Sequence, residues 1–395
     1  MQWIAQTLAV TLLNLKTIPQ RLSSSGVAIV GIAGVVIVFV SVLSIAAGFT
    51  AAMQGTGSPS RALVMRTGAD SEMTSGIGGE EADIIKQAPG LRRDAQGPLA
   101  SAELYVIIDL PKISTGTAAN VPMRGVEPTA FTVRDEVRII DGREMEFGTN
   151  EVVVGRGASG QFAGLTVGSE IQSGQSVWTV VGVFEANGGV AETEIWVDAR
   201  VLQGAYRRGN SYQSVLARLD SSDAFDTFRD WLITNPQLNV QVRRESEYYA
   251  QQSQSLSRLI QGVGFGIALL MGIGAVFGAI LTMYTAVSTR AREIATLRAL
   301  GFNSGSVVVS VLAESLALGA IGGAIGAAVA YFGFNGYQTS TINFQTFSQV
   351  AFAFRVTPAL LAMGLFYALL LGLVGGLFPA IRAARLPIPA ALREL

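Results

Sequence analysis

The amino-acid sequence predicts an α-helical membrane protein with four transmembrane helices and an α+β extracytoplasmic domain between the first and second helices. Charged residues make up only 14% of the 395 residues, whereas a soluble globular protein carries about 25%. Four long apolar segments divide the chain. Residues 50–258, between the first two of these segments, have the composition of a water-soluble domain. Together these observations indicate a lipid-facing helical part and one large domain outside the bilayer.

Four segments are long enough to be transmembrane helices, because a helix needs about 20 apolar residues to cross the hydrocarbon core. The predicted spans are residues 24–49, 259–287, 305–333 and 357–379. The first span could instead be a cleaved signal peptide. Against this, its apolar core is too long, and a leader of roughly 20 residues precedes it.

Glycine is abundant, with 45 residues, and several glycines in the spans lie four residues apart. Small residues at this spacing let helices approach closely, within one chain or between two chains. Such pairs also arise by chance in a glycine-rich chain, so each pair alone is weak support for a helix contact. The candidate packing positions are Gly274, Gly278, Gly319, Gly322, Gly323, Gly326, Gly372 and Gly376.

The distribution of charge predicts which side of the membrane each segment faces. Residues 1–23, interpreted as an amphipathic N-terminal helix, the segment 288–304 and the tail 380–395 together hold eight basic and two acidic side chains. Residues 51–258 hold 19 basic and 26 acidic side chains. Because basic residues are enriched on the cytoplasmic side, both termini are predicted to be cytoplasmic. The domain and a short loop, 334–356, are then on the outer side.

The domain between the first two spans shows both strand and helix signals. Residues 151–154 and 177–184 are β-branched or aromatic runs bounded by glycine, and Gly188-Gly189 predicts a turn. Residues 80–87 and 222–233 have helical patterns. The polar segment 251–258 leads directly into the second span. It is either the start of one continuous helix, which would transmit motion, or a simple connector, and both interpretations stay open.

Residues 289–301 are predicted to form a short amphipathic helix between the second and third spans. Ile294, Leu297 and Leu300 recur at helical spacing and form an apolar stripe, and Gly301 ends the run. Four charged side chains occupy the remaining surface: Arg290, Arg292, Glu293 and Arg298. The alternative is a solvated loop whose arginines extend toward water.

The third span contains one charged residue, Glu314, near its predicted cytoplasmic end. Charged side chains within spans are costly and rare. Glu314 could anchor the 289–301 segment or a neighbouring helix, or it could be an interfacial acid that reaches water, and we expect the second. A polar channel should show several such residues, so a single acid does not predict a conventional substrate tunnel.

The pattern R-x-R-E-I-x-x-L-R-A-L-G at residues 290–301, followed by a span with an acid and then a glycine-rich run, resembles the FtsX-like permease domain. The tail after Pro379 resembles the final motif of that family, although the spacing of Pro387 and Pro389 departs slightly from it. Residues 51–258 are similar to the core domain of MacB-type permeases. The resemblance covers nearly the whole chain.

The resemblance implies a type VII ABC transporter fold in a bacterial inner membrane. Two permease chains, identical copies or paralogues, would pair, each bound to a cytoplasmic ATPase, and a periplasmic adaptor protein is a further partner. ATP-driven closure would move the periplasmic domains, a process called mechanotransmission, to export or extract a substrate. The alternative is an FtsX-like regulator of a periplasmic partner. The implied ATPase-coupling residues are Arg290, Arg292, Glu293, Ile294, Leu297, Arg298 and Gly301.

Several function classes have no support in the sequence. The chain contains no cysteine and no histidine, which removes the most common metal ligands, general bases and thiol nucleophiles. No G-x-x-x-x-G-K-[ST] pattern occurs. We therefore expect that this chain is not an enzyme and holds no cofactor or metal, and that a separate ATPase binds ATP and Mg²⁺. No basic, aromatic-interleaved patch indicates nucleic acid. The transported substrate stays open.

Overall fold

The computed structural model describes residues 6–8, 10–12, 22–343 and 349–389, apart from the side chains of residues 22–24 and 255. Most of the predicted N-terminal helix (1–23) and the end of the predicted tail (390–395) lie outside the described residues. Residues 6–8 and 10–12 are helical. The chain divides into a helical unit (Met1–Ala47, Arg258–Tyr337 and Phe354–Leu395) and an α/β unit (Gly48–Ser257 and Gln338–Ala353).

The helices follow one another along the chain with two short 3₁₀ turns, Glu72–Thr74 and Val190–Thr193, between them. In chain order they are α1 Leu22–Thr56, α2 Gly79–Ile85, α3 Ala130–Val133, α4 Arg156–Ser159, α5 Ala199–Ala205, α6 Ala224–Thr234, α7 Glu245–Thr289, α8 Ala291–Ala299, α9 Ser304–Phe334 and α10 Pro358–Ala384.

The strands, apart from a final hairpin, lie between α1 and α7. In chain order they are β1 Arg61–Arg66, β2 Ile77–Gly78, β3 Arg93–Asp94, β4 Gly97–Pro98, β5 Ala100–Pro111, β6 Ala118–Val126, β7 Arg138–Gly142, β8 Glu151–Gly155, β9 Glu170–Ser173, β10 Ser176–Glu185, β11 Ile195–Asp198, β12 Ser211–Tyr212, β13 Ser214–Arg218, β14 Val240–Arg244, β15 Gln338–Ile342 and β16 Gln349–Ala353.

Four helices in the described part of the chain are long and apolar enough to cross a membrane, which confirms the predicted number of spans. They are Ser25–Thr56, Glu245–Thr289, Ser304–Phe334 and Pro358–Ala384. Thr357 caps α10 by accepting a hydrogen bond from the backbone N–H of Leu360 at 3.3 Å, and Pro358 opens the helix, as proline does in a first turn. Apart from the polar first turns of Glu245–Thr289, these helices carry apolar side chains on every side, as expected in lipid.

The second of these helices, α7, runs without a break from Glu245 to Thr289. Its first turns are polar, and the segment 251–258 belongs to it. Of the two interpretations of that segment, the continuous helix is therefore the one observed. The run has no proline, and no glycine occurs before Gly262, so no residue interrupts the backbone hydrogen bonds between its polar and apolar parts.

A ten-stranded mixed sheet is the centre of the α/β unit. Nine strands follow the order β14-β1-β13-β5-β6-β11-β8-β10-β7, and β9 pairs with β10 beside this path. The pairs β6–β11 and β8–β10 are parallel, and the other pairs are antiparallel. The long strand β5 belongs to both halves of the sheet, because its first residues pair with β13 and its later residues pair with β6.

Each half of the sheet has its own hydrophobic core. In the first half, α2 and α6 cover β1 and β13, with Ile85 and Phe228 fully buried. In the second half, Trp178 and Val154 are fully buried between strands and α5. The predicted strands 151–154 and 177–184 are confirmed as β8 and β10, and the predicted helices 80–87 and 222–233 are confirmed as α2 and α6.

The segment predicted as a short loop, 334–356, contains a β-hairpin. Strands β15 and β16 pair over five residues, from Gln338 with Ala353 to Ile342 with Gln349. Val350 and Phe352 are buried, and the Phe352 ring packs edge-on against Phe49 with centroids 5.7 Å apart. The alternating apolar residues of β16 explain the strand, and the hairpin belongs to the α/β unit.

Candidate functional site

The segment 289–301 forms a separate short helix, α8, between α7 and α9. The chain leaves α7 at Thr289, and Arg290 adopts a non-helical backbone conformation with φ −106° and ψ 10°. At the other end Gly301 has φ +95°, a left-handed conformation that glycine adopts without steric cost and that ends helices. Asn303 then caps α9 by accepting from the N–H of Gly305 at 3.0 Å.

Arg290 and Glu314 form a buried ion pair in the helical unit. Arg290 Nη1 lies 3.3 Å from Glu314 Oε2, and the two side chains are 6% and 5% exposed. Two expectations are therefore wrong. Glu314 is not an interfacial acid that reaches water, and Arg290 does not lie on the outer surface of the segment. A charge on either side chain is costly to bury alone, so the pair ties the start of α8 to α9.

The apolar stripe of the segment is only partly buried. Ile294 is 8% exposed and packs with Met283, Val307 and Val311. Leu297 is half-buried, whereas Leu300 is 73% exposed. The predicted apolar stripe is thus wrong at Leu300, because α8 ends at Ala299 and Leu300 is the residue after its last turn.

A largely apolar cavity of about 300 Å³ lies beside α8, and both the buried Ile294 and the exposed Glu293 and Thr296 line it. Val10, Val287 and Leu297 are among its lining residues, together with the Arg290–Glu314 pair. Thr7, close to Val10, shares a hydrogen bond of 3.0 Å with the Ser306 hydroxyl at the start of α9. The described residues of the N-terminal segment therefore pack against the same region as α8.

The two faces of α8 differ in their contacts. Arg298 Nη1 donates to the carbonyl oxygen of Leu386 at 2.6 Å, so this side chain is used within the chain. Arg292, Glu293 and Thr296 are exposed. With Leu300 they form an outer face that combines charge with one large apolar side chain.

Six of the eight candidate glycines lie at close contacts between helices of the spans. A Cβ on Gly319 or Gly372 would lie 2.8 Å from a carbonyl oxygen of the facing helix, that of Ala368 or of Ser315. These contacts join α9 and α10, and Gly323 and Gly376 face the same helix pair. The helices can approach this closely because neither glycine has a side chain.

The other candidate glycines divide into two groups. Gly322 and Gly326 face α1, where a Cβ would lie 2.9 Å from the carbonyl oxygen of Ile29 or 2.7 Å from that of Ala33. A Cβ on Gly274 or Gly278 would meet nothing within 4 Å. On α7, therefore, these glycines do not mark a contact within the described chain.

A network of charged side chains is buried in the α/β unit, and sequence reasoning missed it. Arg124 donates to Glu72 at 2.7 Å, to Glu103 at 2.8 Å and to Glu194 at 2.7 Å. Arg134 donates to both oxygens of Glu103, at 2.6 and 2.8 Å. Across the described residues, no group of three acidic side chains is arranged to hold a metal ion. The carboxylates face guanidinium groups instead.

The network shifts the proton affinities of its members. Burial alone would raise the pKa of Glu103, but the guanidinium groups of Arg134 and Arg124 outweigh burial and lower this pKa. Burial alone would lower the pKa of Arg134, but the Glu103 carboxylate raises it above its ordinary value. Both groups are therefore charged at neutral pH. A sequence signal existed, since Arg124 is the one charged residue of β6 and Glu103 lies between apolar residues in β5.

The four apolar helices and the inserted α/β unit have the architecture of a multi-pass membrane protein with one large domain outside the bilayer. Two family models match the chain: MacB-like periplasmic core domain over residues 25–234, more than half of the chain, and FtsX-like permease C-terminal over residues 265–388. The chain belongs to the MacB/FtsX-type family of ABC transporter permeases. It is a multi-pass inner-membrane protein, and its α/β unit is the periplasmic core domain of that family.

Individual relatives are similar over parts of the chain. The macrolide export ATP-binding/permease protein MacB of Chromobacterium violaceum is 24% identical over 344 residues, which cover 78% of this chain and 50% of that protein. The uncharacterized ABC transporter permease YknZ of Bacillus subtilis is 30% identical over 133 residues, 32% of this chain and 29% of the relative. The chain thus spans about half the length, or less, of these relatives.

One solved structure with a related description is the periplasmic region of MacB from Actinobacillus actinomycetemcomitans. It covers 51% of this chain and 96% of its own, with 11% identity and a TM-score of 0.38. The family membership of this chain follows from the two family models, over residues 25–234 and 265–388.

Proposed function

We propose that this chain is the transmembrane subunit of an ABC transporter. It couples ATP hydrolysis on an associated ATPase to a conformational change of the periplasmic α/β unit, and thereby exports or extracts a substrate. In this proposal ATP and Mg²⁺ are bound by the ATPase, and this chain contributes the coupling surface rather than catalytic residues.

The observation that supports this proposal is the difference between the two faces of α8. One face is fixed within the chain by the Arg290–Glu314 pair and by Ile294. The other face exposes Arg292, Glu293 and Leu300. A fixed helix with an exposed mixed surface can receive a displacement from a partner and pass it to the spans on either side of it.

The proposed arrangement places both termini and α8 in the cytoplasm. The proposed partners are a cytoplasmic ABC ATPase, a second permease chain, identical or paralogous, a periplasmic adaptor protein and the surrounding lipid. Since Gly274 and Gly278 have no close neighbour within the described chain, this face of α7 is available to the second permease chain or to lipid.

Charge reversal on the exposed face of α8 tests the proposal. The variant carries Arg292→Glu with Glu293→Arg, which keeps the net charge. We expect at least a tenfold loss of ATPase association, equivalent to about 1.4 kcal/mol, with an unchanged thermal unfolding midpoint. The measurement is co-purification from mild detergent, with every bound protein identified by mass spectrometry.

The matched control reverses an exposed ion pair elsewhere. Asp226 and Arg229 on α6 lie 2.9 Å apart and are 67% and 38% exposed, so Asp226→Arg with Arg229→Asp should leave association unchanged. Wild-type association in the α8 variant would overturn the assignment of this surface. The regulatory alternative uses the same surface, and a transport assay with reconstituted complex separates the two functions.

A further inference from the structure

Arg61 lies where the chain leaves α1 and enters β1, and it is 3% exposed. Its Nε donates to Glu245 at 2.5 Å. Its terminal nitrogens donate to the two oxygens of Glu136 at 2.6 and 2.7 Å. They also donate to the carbonyl oxygens of Val133 at 3.3 Å and Thr56 at 3.2 Å. Each of the five guanidinium N–H groups therefore has an acceptor.

These contacts join two helix ends within the α/β unit. Thr56 is the last residue of α1, and Glu245 is the first residue of α7. The backbone N–H of Ser58 also donates to Glu245, at 3.0 Å. A Cβ on Gly57 would overlap the backbone of Ser246, so the chain after α1 lies directly against the first turn of α7. One arginine and one glutamate thus hold both helix ends.

The same ends are connected to neighbouring strands. β1 follows α1, β14 precedes α7, and the two strands pair antiparallel with Ala62 opposite Arg244. On the other side, the Thr56 hydroxyl accepts a hydrogen bond from the backbone N–H of Val190 at 2.6 Å. The ends of both helices are therefore fixed to the sheet and to its surrounding turns by backbone pairing and by buried side chains.

Stability alone does not account for a buried ionic group at this position. Replacing a buried ion pair with well-packed apolar residues is often neutral or stabilising. What a guanidinium group and carboxylates provide is direction, because the planar fork of arginine bonds a carboxylate in one orientation. Arg61 bonds Glu136 in this two-pronged manner and Glu245 through Nε. The arrangement fixes position more than it adds free energy of folding.

We propose that Arg61, Glu136 and Glu245, here called the Arg61 cluster, form a positioning clamp that makes the ends of α1 and α7 move together with the sheet. The clamp rests on the proposed function, because it acts on a displacement that the ATPase supplies. These are positioning residues, because they act through the helix ends that they hold. Without the clamp, each helix end delivers its displacement separately and part of it is lost.

The chain contains no cysteine, so introduced thiols can be labelled selectively. Spin labels at Gln54→Cys on α1 and Gln251→Cys on α7, both exposed, report the distance between the helix ends in the full ATPase complex. We expect a broader distance distribution in Glu245→Gln than in wild type. We also expect the amount of substrate transported per ATP hydrolysed to fall about fivefold or more. Fivefold is about the lower limit of the effect that coupling between two sites usually has.

Two further variants distinguish a clamp from a general packing residue. Arg61→Lys keeps the charge but loses the two-pronged hydrogen bonding to Glu136. We expect it to lower the transport output per ATP, by less than Glu245→Gln does. A disulfide between Thr50→Cys and Ser257→Cys, whose native hydroxyl oxygens are 2.7 Å apart, should restore the output per ATP to Glu245→Gln on oxidation. Reduction should remove this gain.

The control is Arg143→Gln, which removes an exposed ion pair with Glu151 in the same unit. The inference is overturned if Glu245→Gln and Arg61→Lys keep the wild-type distance distribution and output, or if the oxidised disulfide restores nothing. If the wild-type complex showed no nucleotide-dependent transport, the proposed function would be refuted instead. The distance distribution between the spin labels would still test the clamp.

Discussion

Replacing Glu103 with glutamine should strongly destabilise the α/β unit. Glu103 is fully buried, and its two oxygens accept three hydrogen bonds, two from Arg134 and one from Arg124, at 2.6–2.8 Å. Glutamine has nearly the same shape but carries no charge. One of its two polar atoms is an N–H donor, so it would face an arginine donor where a carboxylate oxygen now accepts.

The expected cost follows from the loss of one charged partner. Removing one partner from a buried ion pair costs about 3–5 kcal/mol, because the remaining charge stays buried. For a domain of this size, each kcal/mol lowers the unfolding midpoint by about 2–4 °C. We therefore expect the midpoint of the α/β unit to fall by roughly 6–20 °C.

Tryptophan fluorescence of the full chain in detergent measures this midpoint selectively. Three of the four tryptophans, Trp178, Trp196 and Trp231, lie in the α/β unit. The control is Glu151→Gln, which removes an exposed ion pair and should leave the midpoint unchanged. A shift in Glu103→Gln no larger than that of the control would show that the network is not a stabilising unit, and the reasoning from burial would be refuted.

Two other predictions concern pH and helix packing. Because the pKa of Glu103 is below its unfolded value of 4.5, its stabilisation is complete above that pH and is lost as pH falls through the folded pKa. Melting curves between neutral pH and pH 3 should therefore decline more steeply in wild type than in Glu103→Gln, and parallel declines would contradict this. In the spans, Gly326→Leu should destabilise the detergent-solubilised chain, since a Cβ there would lie 2.7 Å from the Ala33 oxygen and 2.9 Å from Val36. Gly278→Leu should not, and equal losses would contradict the packing assigned here.

Hydropathy alone predicted the spans. A lipid-facing helix is apolar on every side and makes its backbone hydrogen bonds within itself, so its own sequence identifies it. It located the second span at 259–287, whereas α7 begins at Glu245. The first turns of this helix are polar and water-soluble, so they leave no hydropathy signal. Composition predicted the strands β8 and β10, because each is a β-branched or aromatic run bounded by glycine.

The partners of the buried charges could not be predicted from local sequence. Glu72, Glu103 and Glu194 are separated by dozens of residues and meet at Arg124 only because of the strand order. Acidic residues are usually exposed, so each of these glutamates would be expected on the solvated surface of the domain. Arg290 illustrates the same limit. Its position next to Arg292 and Glu293 indicates an exposed run, and only the chain path after α7 directs it toward Glu314.

The pairing of β1 with β14 has a mechanical consequence for the periplasmic domain. The two strands are antiparallel over five residue pairs, and the ends that lead to α1 and α7 lie next to each other. A pull on one helix alone, if directed along the strands, would load these hydrogen bonds in shear, and all of them would resist together. A pull shared equally by both helices would leave the hydrogen bonds between β1 and β14 unloaded. The load would then fall on the hydrogen bonds between β1 and β13. Since β14 is at the edge of the sheet, the sheet is most exposed to sliding when the two helices are driven unequally.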